Sequence, residues 1–95
     1  MKKKEHFQAL AWLYYFRFEG EEHKKSFDIL KKGLEKFETD KDLLFDITRY
    51  NFYDSRAKEF LQYAPKYLAV NPSDTAMRKD YEQYKKIFSE QKNKK

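Results

Sequence analysis

The chain contains no cysteine, so it forms no disulfide and offers no thiolate to a metal. Glycine and proline number two each among 95 residues. The backbone therefore has few breaks and little room for the tight turns of a many-stranded sheet. Histidine is equally scarce: His6 and His23 lie 17 residues apart, without the paired spacing of a histidine metal site. No glycine-rich phosphate loop occurs. No segment alternates apolar and polar residues at strand length, and no apolar run approaches the roughly 20 residues that span a bilayer. The serines at 26, 55, 73 and 89 each suit a helix start or a solvated face. His23, beside Glu21 and Glu22, reads as an exposed loop histidine. The expectation is an all-α protein that is not an enzyme and holds no cofactor and no metal.

An excess of one charge is also missing from the body of the chain. The formal charge of +5 suggests a nucleic-acid partner until its location is considered. Lys2, Lys3, Lys4, Lys92, Lys94 and Lys95 form basic tails at 1–4 and 92–95, and residues 5–91 hold 15 basic against 16 acidic side chains. The opening MKKKEHFQALAWLYYFRFEG imitates a secretory leader, but Glu5 and His6 interrupt it, bulky rings dominate it and no small-residue cleavage site follows. It reads as a first helix covered on more than one face, and a cytoplasmic location follows.

What the chain does have is aromatic side chains: nine Phe, eight Tyr and one Trp. They provide large contact area per residue, which a small domain needs. Five helical segments emerge. Phe7 to Phe18 is apolar all round, and Gly20-Glu21-Glu22 breaks it. Phe27, Leu30, Leu34 and Phe37 form one helical stripe. Thr39 and Asp42 have the spacing of a capping box ahead of Leu43, Leu44, Ile47, Tyr50 and Phe52. Asp54 and Ser55 offer caps to a fourth segment carrying Ala57, Phe60, Leu61, Ala64, Tyr67 and Leu68, with a kink expected at Pro65. After Asn71-Pro72-Ser73-Asp74, the fifth carries Met77, Tyr81, Tyr84, Ile87 and Phe88.

Punctuation and apolar positions recur together. Asp40 and Asp74 close two breaks 34 residues apart. At the same offset Leu10 meets Leu44, Leu13 meets Ile47, Phe18 meets Phe52, Phe27 meets Leu61, Leu34 meets Leu68 and Leu43 meets Met77. A period of 34 is the length of a tetratricopeptide helix-turn-helix unit. In AKEFLQYAPKYLAVNPSD the chain resembles the second helix of such a repeat, closed by Asn-Pro and an acidic cap. Ser26 and Gly33 occupy the first unit's small positions, where Phe60 and Tyr67 stand in the second.

The resemblance implies one domain of antiparallel hairpins stacked as a short, right-handed array of tetratricopeptide type. Its units are 7–40 and 41–74, with 75–91 as a capping helix. It further implies a concave face lined by Tyr15, Phe18 and Glu19, by Arg49, Phe52 and Tyr53, and by Gln83 and Lys86. The expected role is an adaptor that binds a peptide or helix carrying apolar anchors and acidic charge. Two alternatives stand beside it: a subunit of a ribonucleoprotein assembly whose lysine tails and exposed rings touch RNA, and a homodimeric structural module.

Overall fold

A computed structural model describes the backbone of residues 3–93 and the side chains of residues 3–89. The chain forms five α-helices in order: α1 (Lys4–Arg17), α2 (Gly20–Lys36), α3 (Lys41–Tyr53), α4 (Ala57–Val70) and α5 (Thr75–Asn93). Among the described residues there is no strand, and no helix is long and apolar enough to cross a membrane.

Capping decides where the helices start, in ways that partly differ from the sequence reading. The cap of α3 is Asp40, whose carboxylate accepts the Leu43 amide at 3.0 Å, so the Thr39 box does not form. Asp74 caps α5 in the same way through the Met77 amide at 3.0 Å. Neither Asp54 nor Ser55 caps α4. Arg56 precedes that helix with no side-chain cap, Asp54 is committed to Tyr15 and His23, and Ser55 takes a left-handed φ of 58° to turn the chain. Gly20 holds φ 61° in the preceding hairpin, where a glycine carries no side-chain penalty. It opens α2 instead of breaking the chain; the break is Phe18-Glu19. Pro65 neither ends nor splits α4, which runs continuously from Ala57 to Val70. Lys4 is not a tail residue, since it starts α1 and pairs with Asp40 and Asp42 at 3.1 and 2.9 Å. Lys2, Lys94 and Lys95 lie outside the described residues, as does the side chain of Lys92.

The helices pair consecutively, and α3 also touches α1. The core divides accordingly. One cluster joins Phe7, Ala11, Tyr15, Phe27 and Leu30 of the first hairpin to Leu43, Ile47 and Tyr50 of α3. The other joins Leu44 of α3 to Phe60, Ala64, Tyr67 and Leu68 of α4 and Met77 of α5, and Leu34 borders both. The radius of gyration is 13.9 Å, above the roughly 12 Å of a compact chain this long. The extents of 44 × 31 × 20 Å fit a slab two helices thick, at about 10 Å per helix layer. Hairpins stacked side by side account for both numbers, whereas helices around one closed centre do not.

The second helices keep the 34-residue spacing: Ser26, Leu30 and Gly33 are buried, and so are Phe60, Ala64 and Tyr67. The first helix does not keep it. Lys4 and Lys41 start α1 and α3 a distance of 37 residues apart, so Leu13 is 39% exposed where Ile47 is fully buried. The expectation that α1 is covered on more than one face is therefore corrected. Only the stripe Phe7, Ala11, Tyr15 is buried, while Trp12 and Phe16 are 47% and 49% exposed. An all-apolar helix has no polar side to set its rotation. Here the contacts of Phe7 with Gly33 and of Tyr15 with Asp54 set it.

Candidate protein-interaction face

Where the two hairpins meet, a polar cluster ties one helix–helix turn to the other. The Tyr15 hydroxyl donates to one oxygen of Asp54 at 2.8 Å, and His23 Nε2 meets the other at 2.7 Å. His23 Nδ1 lies 2.7 Å from the Tyr15 carbonyl oxygen. Both groups facing the ring nitrogens are oxygen acceptors. The Tyr15 ring stacks on Tyr50 at 4.0 Å and 8°. Burial first, and then the bond to Asp54, pushes the Tyr15 phenol well above its ordinary range. His23 is thus a half-buried residue of α2 and not an exposed loop histidine. Tyr15 is likewise a packing residue and not part of a free surface, because its ring and its hydroxyl are both consumed inside the fold. Asp54, 31 residues from His23, carries no signal in the sequence for this role.

From that junction, ring contacts run outward along one face. Phe16 of α1 meets the Tyr50 ring edge-on at 5.8 Å, and Trp12 lies 5.3 Å from Phe16. The Arg49 guanidinium sits 5.1 Å from the centres of both the Phe45 and Tyr50 rings and pairs with Asp46 at 3.2 Å. Burial raises the Asp46 carboxyl above its usual value, with Arg49 opposing that shift. Phe52 packs on Phe60 and on Tyr84 of α5 at 5.2 and 5.4 Å. Tyr53, 60% exposed, lies 6.1 Å from Phe52. Among the described residues, α5 packs on α4 and meets α3 only through side chains. The gap between α3 and α5 holds a pocket of about 250 Å³, bounded by Phe45, Arg49, Phe52, Tyr53, Asp74, Ala76, Met77 and Asp80.

The eight residues singled out from the sequence thus divide. Arg49, Phe52 and Tyr53 come together on this pocket. Phe18 and Glu19 are exposed in the first turn, with Phe18 against Tyr14 at 5.3 Å. Gln83 and Lys86 are exposed on α5 and line no part of the pocket. Gln83 follows Asp80 by one helical turn on the same stripe. Trp12, Phe16 and Phe45 also lie on this face and are not among the eight residues assigned to it from the sequence. They came from a helix without periodicity and from a residue adjoining the core stripe.

On the other face, α2 and α4 stand apart over a groove of about 690 Å³ with Leu34, Leu44, Tyr63, Ala69 and Val70 on its floor and Lys31, Glu35, Glu38 and Lys66 at its rim. Among the described residues no group of three or more His, Asp or Glu side chains converges as a metal site. No protein-family model, curated protein or solved structure matches the chain.

Proposed function

We propose that this chain is a protein-interaction module of tetratricopeptide type, which receives a segment of a partner protein across the face shared by α1, α3 and α5. One observation carries the reading: the touching rings of Trp12 and Phe16 on α1 reach, through the buried Tyr50 ring and the Arg49 guanidinium that lies between Tyr50 and Phe45, the pocket lined by Phe45, Phe52 and Tyr53, with Trp12, Phe16 and Tyr53 about half exposed or more. Exposed apolar surface collected in one place marks binding more often than scattered single residues do. Aromatic anchors are also the residues that dominate interface energies.

The test replaces Trp12 and Tyr53 together by serine. Both side chains are largely exposed, so the far-UV circular dichroism should match the parent. Affinity capture from a native lysate treated with nuclease should recover a partner with the parent chain and lose it with the double variant. An identical captured set from both chains refutes the interaction face. Capture that vanishes with nuclease gives RNA the role assigned here to a protein.

A further inference from the structure

We infer that the pocket between α3 and α5 takes the cationic side chain, arginine or lysine, of the bound segment. This deepens the interaction-face reading and rests on it. The sequence alone suggests the opposite, an acidic partner drawn to Arg49 and Lys86. The geometry removes both attractors. Arg49 already pairs with Asp46 at 3.2 Å and lies over two rings, and Lys86 does not line the pocket.

The carboxylates remain. Asp80 lines the pocket, is half-buried and has no ion-pair partner among the described residues. Asp74 accepts the Tyr67 hydroxyl and the Met77 amide, which satisfy its oxygens without cancelling its charge. Among the residues that line the cavity, Asp74 and Asp80 stand against the one cation of Arg49, which Asp46 already pairs. An incoming carboxylate therefore meets net negative charge, whereas an incoming cation meets an unpaired partner in Asp80. The walls suit the rest of such a side chain, since Phe45, Phe52, Tyr53 and Met77 can cover an aliphatic stem. Ring faces also attract guanidinium and ammonium groups, as Arg49 already shows over Phe45.

The test uses small probes, so it does not depend on finding the partner. N-acetyl-arginine amide, N-acetyl-lysine amide, N-acetyl-norleucine amide and N-acetyl-glutamate amide are titrated at low salt into the isotopically labelled full chain. Backbone amide shifts are the readout. The arginine and lysine probes should give saturable shifts around Tyr53 and Ala76–Asp80, while the glutamate probe gives none there. Asp80→Asn should weaken the cationic probes about two- to five-fold, the factor that one exposed charge pair supplies. Asp80→Lys should turn the preference toward glutamate. Equal binding of the glutamate and arginine probes, no shift at the pocket with any probe, or an Asp80→Asn chain that binds like the parent overturns the charge assignment. The two readings fail separately. Loss of capture by the Trp12/Tyr53 variant with no probe discrimination leaves the interaction face and removes the cation pocket. Probe discrimination with unchanged capture does the reverse.

Discussion

Gly33→Ala gives the sharpest test of how closely α1 and α2 approach. Gly33 is in the interior of α2, and a methyl group there would lie 2.9 Å from Phe7 Cγ, 3.0 Å from Phe7 Cβ and 3.2 Å from Leu43 Cδ1. Comfortable carbon contacts are about 3.5–4.0 Å, so the shortfall is about half an ångström or more against Phe7 and smaller against Leu43. Neither neighbour can swing away. Phe7 and Leu43 are 5% and 0% exposed, and the two Phe7 atoms belong to the base of its side chain, so relief requires moving α1 itself. Overpacking of this kind costs about 1–3 kcal/mol. Against it stands the gain of about 1 kcal/mol from replacing a helical glycine by alanine. The net expectation is a loss of about 1 kcal/mol, or about 4–8 °C in Tm for a chain this size.

Because two opposed effects of similar size are being subtracted, Gly33→Val is measured alongside. Valine forms helix slightly less well than alanine and adds two more carbons to the same overlap, so its loss should exceed that of alanine by a further 1–3 kcal/mol or so. Urea unfolding followed by circular dichroism reads both, with the slope of the transition unchanged if only the folded contact is affected. A Gly33→Ala chain stabilised by the full helix-propensity gain, with valine close behind, would mean that α1 and α2 do not touch at this point. The close hairpin would then be wrong.

Three further outcomes follow from particular contacts. His23→Ala removes one bond within the first hairpin, to the Tyr15 carbonyl, and one that holds that hairpin to Asp54 in the α3–α4 turn. It should cost about 1–2 kcal/mol, and a double-mutant cycle with Asp54→Ala should show coupling between the two sites. Asp74 has its carboxyl held below the usual range, first by the Tyr67 hydroxyl and then by the Met77 amide. Its folded value lies below its unfolded value, so its contribution is complete above the unfolded value and disappears as pH falls through the folded one. Asp74→Asn should therefore flatten the acid side of the Tm-against-pH curve, and an unchanged acid slope would dismiss that role. Pro65 is exposed within the continuous α4 and gives up one helical hydrogen bond. Pro65→Ala should raise stability by about 1–3 kcal/mol in urea unfolding, less the entropy that proline removes from the unfolded chain.

Residues with a clear period were readable in advance. The stripes of α2 and α4 placed Phe27, Leu30, Phe60, Ala64 and Leu68 inside, and all five are buried. The Asn71–Asp74 punctuation anticipated the start of α5 at Thr75. The chain's own helix ends were less legible, because Asp, Ser and Thr stood next to one another and the rules favour each as a cap. At the α3 start Asp40 won, since it lies three residues ahead of an amide with no other partner. Before α4 the candidate Asp54 was drawn away by Tyr15 and His23, contacts of long sequence range that no local pattern encodes.

The same physics explains why the face was half readable. A helix with apolar residues on every side gives no direction, so Trp12 and Phe16 could not be separated from Phe7 and Tyr15 by spacing. Packing chose between them. Tyr15 alone could satisfy its hydroxyl on Asp54 while stacking on Tyr50, which turned Trp12 and Phe16 outward. The sign of the face was hidden differently. Arg49 looked like a free cation, yet Asp46 stands three residues before it, the spacing at which side chains on one helix meet. With Arg49 paired in this way, the carboxylate at the pocket without an ion-pair partner among the described residues is Asp80.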